Sequence, residues 1–119
     1  MATAVKRKLS ASPAGDGIKV VAVATAGTTI HTAPAGTTDG SYDEIWLYAY
    51  NGHTATVTLT IEFGGATVPD QNIVVSLPFK SGLQLIVPGL LLQNALTVKA
   101  FASVANVVTL TGFVNRITD

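Results

Sequence analysis

Cysteine is absent from this 119-residue chain, which removes disulfides, thiolate zinc sites, iron–sulfur clusters and cysteine nucleophiles together and leaves the redox compartment open. Charge is scarce as well. Seven basic and seven acidic residues cancel to a formal net charge of zero and make up only 12% of the chain, about half the share of an ordinary soluble domain. A neutral chain exerts no bulk attraction on nucleic acid or on an anionic membrane surface. No run of about 18 apolar residues is present to span a bilayer. No stretch has sustained helical periodicity, no segment repeats, and no glycine-rich loop follows a strand and opens a helix to cradle phosphate. Imidazole chemistry is confined to His31 and His53, and neither has the i,i+4 partner or carboxylate motif of a zinc site. Both read as satisfied or exposed structural histidines, and no cofactor is expected.

What the chain does contain is valine and threonine, 30 residues of 119 between them, 16 of these threonine. Such a β-branched bias suits pleated sheet. Short apolar or alternating runs predict strands near 18–25, 28–33, 42–50, 54–63, 72–77, 83–87, 95–102 and 106–115. Turn chemistry separates them: Asn51-Gly52, Gly64-Gly65, Pro69-Asp70, Lys80-Ser81-Gly82, Pro88-Gly89 and Gln93-Asn94. Pro69, Pro78 and Pro88 are all expected at strand boundaries, where a ladder tolerates them. About eight short strands in one domain of this length predict an all-β protein: an antiparallel, jelly-roll-like β-sandwich over residues 18–119.

The segment Ser41–Phe63 is the most informative. Thr54, Thr56, Thr58, Thr60 and Glu62 alternate with Ala55, Val57, Leu59, Ile61 and Phe63, while Glu44, Trp46, Tyr48 and Tyr50 alternate with Ile45, Leu47 and Ala49. Read as a hairpin, the register decides which faces combine. A three-residue loop, Tyr50-Asn51-Gly52, pairs Trp46 with Thr56 and Ile45 with Val57, giving one aliphatic face and one aromatic–threonine face without hydroxyls in the core. Trp46 and Tyr48 beside Thr54, Thr56 and Thr58 then have three readings: cover by the same chain, a subunit contact, or stacking on a sugar ring. A single threonine row is too narrow for an ice-binding array.

Residues 1–17 carry Lys6, Arg7, Lys8 and Asp16 and read as a flexible basic arm. The charge run is followed by Leu9-Ser-Ala-Ser-Pro and not by the apolar stretch of a secretory signal. The arm is either solvated or ordered against an acidic neighbouring subunit, and three charges release too few counterions for DNA binding. Glu44 and Glu62 are weighed as a glycosidase pair, but nothing sets their separation. Asp39-Gly-Ser-Tyr-Asp43-Glu44 is acidic enough to raise calcium, yet lacks the ligand spacing of a dedicated loop. The chain is therefore expected not to be an enzyme.

In order along the chain come Ile30-His-Thr-Ala-Pro-Ala-Gly36, Asp43-Glu-Ile-Trp-Leu-Tyr-Ala-Tyr-Asn51, Leu59-Thr-Ile-Glu-Phe-Gly-Gly65, Val87-Pro-Gly-Leu90, Ala100-Phe-Ala102 and Gly112-Phe-Val-Asn-Arg-Ile117. This series resembles small virion proteins of tailed bacteriophages, in particular the β-sandwich capsid decoration (cement) proteins. The resemblance implies a non-enzymatic structural protein, made in the host cytoplasm, that binds the major capsid protein on the outer surface of the shell and associates with itself as a dimer or trimer. Nucleic acid, membrane and small-molecule ligands are not implied as partners. On that expectation Val5, Lys6, Arg7, Lys8 and Leu9 grip a shell subunit, and the face with Trp46, Tyr48, Thr54, Thr56 and Thr58 meets a sister copy. A head–tail neck or tail protein, a lectin-like carbohydrate-binding β-sandwich, and a surface or pilus-like adhesion domain remain the competing readings.

Overall fold

The computed structural model describes residues 3–37 and 40–118. Asp39, weighed above as a calcium ligand, lies outside the described residues. Nine strands follow in chain order: β1 (Thr3–Lys8), β2 (Ile18–Lys19), β3 (Thr28–Thr32), β4 (Ser41–Asn51), β5 (Val57–Phe63), β6 (Asn72–Leu77), β7 (Gln84–Leu92), β8 (Thr97–Ala102) and β9 (Val108–Thr118), with one 3-10 turn at Pro13–Gly15. No helix among the described residues is long and apolar enough to cross a membrane. The strands form two antiparallel sheets. The first has the order β1-β9-β4-β7, with β2 pairing along the same β9; the second has the order β3-β8-β5-β6. Four pairings are nested in sequence, β2 with β9, β3 with β8, β4 with β7 and β5 with β6. The chain thus behaves as a long antiparallel ribbon closing at the β5–β6 connection.

Strand alternation supplies the core. Ile45, Leu47 and Ala49 of β4, Leu110 and Val114 of β9 and Val87 of β7 face inward from the first sheet. They meet Val57, Leu59 and Ile61 of β5, Val98, Ala100 and Ala102 of β8 and Ile30 of β3, all fully buried. Removing this apolar surface from water is the principal stabilising term.

The Ser41–Phe63 hairpin does not form. β4 pairs with β9 and β7, and β5 with β6 and β8, so the two strands lie in different sheets. The aliphatic faces expected to lie side by side instead face each other across the core. Asn51 turns the chain: its side-chain amide donates to the carbonyls of Ala55 and Leu77, and its Oδ1 accepts from the His53 amide. These bonds hold 52–56 as a crossing between sheets and displace Thr54 and Thr56 from any strand. Burying a uniform aliphatic face, the argument behind the hairpin, is met equally by facing sheets.

Pro88-Gly89 is likewise no strand end. β7 runs through it, and its register against β4 slips between Ile45 and Trp46, opposite Leu90 and Pro88, leaving Gly89 as the extra residue of a bulge. Proline is tolerated because β7 is an edge strand. The expected strand 18–25 shortens to Ile18–Lys19, since Val20 bridges to β9 while Ala22 accepts from Ala102 in the other sheet. The N-terminal segment is not a free arm either. Residues 3–8 pair with 113–118 of β9, and Leu9 enters the core at 1% exposure. A basic run reads as solvated tail from sequence, but charged side chains also suit a sheet edge, where they discourage further pairing.

Candidate functional site

Directly paired residues of neighbouring strands share a face, so the ladders determine what the outward side of the first sheet displays. One row reads Lys6, Asn115, Glu44 and Leu91, and the next Lys8, Phe113, Trp46 and Pro88. Beyond these come Thr111, Tyr48 and Leu85, then Lys19, Thr109 and Tyr50. Tyr42 and Ile117 continue the same face at its far end. The single tryptophan, all three tyrosines and Phe113 are therefore on one side of one sheet, with three lysines at its β1/β2 margin.

Trp46 is the centre of this surface. A glycine is required beneath it: Gly89 has φ +79°, and a β-carbon there would stand 2.9 Å from Trp46 Cζ2. On the other side the Phe113 ring lies 6.1 Å away between centroids, at an interplanar angle of 15°. Lys6 Nζ sits 4.4 Å from the Phe113 centroid, a cation–π contact. The indole Nε1 donates to Glu44 Oε1 at 2.7 Å, and Asn115 Nδ2 donates to the same oxygen at 3.0 Å. These two donors hold the Glu44 carboxyl below its ordinary value, so it stays ionised beside the lysines. Gly112 completes the seat, because a side chain there would collide with the Trp46 carbonyl.

On the inward side of the same β4–β9 ladder lies a polar cluster. Asp43 is fully buried and accepts two hydrogen bonds from Arg116, Nε to Oδ1 at 2.8 Å and Nη2 to Oδ2 at 2.9 Å. His31 Nε2 lies 2.6 Å from Asp43 Oδ2. The Ser10 amide donates to His31 Nδ1 at 3.0 Å, so the ring carries its proton on Nε2 and donates it to Asp43. Burial pushes the Asp43 carboxyl up, but the bonds from Arg116 and His31 outweigh it and hold the group below its usual value. Arg116 is raised in return, chiefly by its bonds to Asp43. With both ring nitrogens engaged, His31 offers none to a substrate. It ties β3 and the Ser10 segment to β4. A depression of about 410 Å³ lined by Arg7, Lys8, Ser10, His31 and Arg116 opens beside it.

Glu62 is 2% exposed on β5, accepting from the Thr25 hydroxyl at 2.8 Å and the Gly27 amide at 2.7 Å. It pins the 20–27 connection, whereas Glu44 faces outward on the other sheet, so the two carboxylates share no cleft. Among the described residues no three His, Asp or Glu side chains are grouped to hold a metal ion.

Of the residues singled out from the sequence, Lys6, Lys8, Trp46 and Tyr48 come together on one face. Val5 and Arg7 point to its opposite side, and Leu9 is buried. Thr58 is exposed on the second sheet, and Thr54 and Thr56 occupy the 52–56 crossing. Phe113, Asn115 and Lys19 were missed. For Phe113 and Asn115 the signal was the alternation Thr109, Thr111, Phe113, Asn115 against Val108, Leu110, Val114, which reveals a face but not its neighbours. No family model, curated protein or solved structure matches the chain.

Proposed function

We propose that this chain is a non-enzymatic structural protein of a tailed-phage virion, a capsid decoration protein that binds the outer shell through the outward face of its first sheet. We also read its fold as a jelly-roll-like sandwich, which the nested pairings of β2 with β9, β3 with β8, β4 with β7 and β5 with β6 support.

The observation that carries the role is the gathering of Lys6, Lys8, Trp46, Tyr48 and Phe113 on one broad face. Aromatic residues with sparse charge are the composition of an interface centre, and lysines at its margin suit acidic groups on a shell. The order of short motifs from Ile30 to Ile117 resembles that of decoration proteins. The arm and the aromatic face, separate in sequence, serve here as one contact surface toward the major capsid protein.

Co-sedimentation with shells of the phage that carries it, stripped of their decoration layer, tests the reading. Saturable binding is expected, weakened about tenfold or more in a Lys6→Glu, Lys8→Glu double variant and more sensitive to salt than binding through apolar contacts alone. Absence of binding by a folded wild-type chain overturns it. A second reading is favoured by the near-parallel Trp46 and Phe113 rings with Glu44 and Asn115 beside them, a composition that also suits a sugar. Titrating Trp46 emission with mono- and oligosaccharides distinguishes the two.

A further inference from the structure

We propose that the outer edge of β7 is the self-association site of this protein, joining two copies by antiparallel β7–β7 pairing into one continuous sheet. This inference stands independently of the virion reading.

β7 ends its sheet, and among the described residues no strand pairs with its outer side. Natural proteins protect such edges with charge, a covering segment, proline or a bulge, and two of the four edges here are charged or covered. β1 carries Lys6, Arg7 and Lys8 in succession, so two β1 edges repel. The β3 edge is covered by residues 10–11, with Ala11 N donating to the Ile30 carbonyl and Thr32 N to the Ser10 hydroxyl. β6 is uncharged as well, but it is six residues long and exposes only Val74 among its large apolar side chains. β7 carries Pro88 and the Gly89 bulge at its centre, but the stretches on either side are open: from Ser81 to Val98 no residue is charged, and Leu83, Leu85, Leu90 and Leu91 are exposed by 61, 49, 42 and 56%.

The edge is also self-complementary. Phe79 and Leu83 project just before β7, Phe79 being 52% exposed. Just after it lies a cavity of about 660 Å³ lined by Tyr42, Leu91, Leu92 and Leu96 among others. A two-fold axis near Pro88, the centre of the strand, brings the start of one β7 beside the end of the other. Phe79 and Leu83 of each copy then reach the cavity of its partner. The same axis sets Leu85 against the other copy's Leu91, and both belong to the outward face. A projection at one end and a cavity at the other, related by a dyad, form an isologous contact. Pro88 has no amide hydrogen, so the ladder runs in two short stretches on either side of it.

The test is the solution mass of the full chain by light scattering over a concentration series, with amide exchange read at β7. A dimer is expected, with concentration-dependent protection of the 84–92 amides. Leu91→Lys and Leu85→Lys place charge on exposed positions that the fold tolerates, and each should weaken dimerisation about tenfold or more. Val74→Lys on β6 should leave it unchanged. A folded wild-type monomer at every concentration overturns the proposal. So does a dimer that ignores both leucine variants, or one that yields to Val74→Lys alone. Protection of β7 only when shells are added would mean that this edge receives a capsid strand instead. Shell binding by a strict monomer would overturn the self-association site and leave the proposed function standing.

Discussion

Trp46 lies across Gly89, its Cζ2 occupying the space next to where any β-carbon at position 89 would be, 2.9 Å away. The contact couples the bulge in β7 to the aromatic surface of β4, and it makes the single tryptophan a reporter of that bulge. Gly89→Ala meets two penalties, a positive φ of +79° and a crowded indole. A loss of about 1–3 kcal/mol is expected, with a shift in Trp46 emission. Denaturant titration followed by fluorescence measures both. An alanine variant as stable as wild type, with unchanged emission, would contradict the packing described.

Acid should loosen the link between β3 and β4. Asp43 has its folded-state value depressed below the ordinary 3.8, so its ion pair contributes fully above that pH. The contribution drains away as pH falls through the lower folded value. Unfolding free energy should therefore be level from neutrality to about pH 5 and then decline. Asp43→Asn should remove most of that decline and lower stability at neutral pH by about 2 kcal/mol, below the usual cost of a broken buried pair because Arg116 is partly exposed. Equilibrium unfolding of both proteins across the acid range provides the comparison.

Facing sheets and a paired hairpin assign opposite consequences to threonines that look alike in sequence. Thr54→Ala and Thr56→Ala, in the crossing between sheets, should each change stability by less than about 0.5 kcal/mol. Leu59→Ala removes a side chain buried from both sheets and should cost about 3 kcal/mol. A large effect at Thr56 would argue for the hairpin after all.

Asn51 is the hinge of that arrangement, and three of its hydrogen bonds end on backbone groups of the crossing and of β6. It is 1% exposed, so Asn51→Ala removes a buried donor to the Leu77 carbonyl and a part-buried one to that of Ala55. A loss of about 2–3 kcal/mol is expected in chemical denaturation, larger than for Asn115→Ala on the outward face.

Much of the architecture was legible in the sequence. Alternation identified the buried sets Ile45, Leu47, Ala49 and Val57, Leu59, Ile61, and turn chemistry placed six of the eight expected strands close to where they stand. A period of two is a local property that each strand carries alone. It says which face of a strand is buried and nothing about what lies beside it. That is why Trp46 was expected beside Thr56, ten residues along the chain, while its ladder partner is Phe113.

The basic run and the proline mark the same boundary from other directions. Lys6, Arg7 and Lys8 look alike as a solvated tail and as an edge strand, because charge suits both. Pro88-Gly89 looks alike as a turn and as a bulge, because both tolerate proline's restricted φ and use glycine's positive one. Composition and periodicity by themselves determined that this is an all-β chain with an aliphatic interior and little charge. Only the tertiary structure decided that Lys6, Lys8, Trp46, Tyr48 and Phe113 form one surface, since that depends on β9 inserting between β1 and β4. Such an insertion joins segments about a whole chain length apart, and no local pattern encodes it.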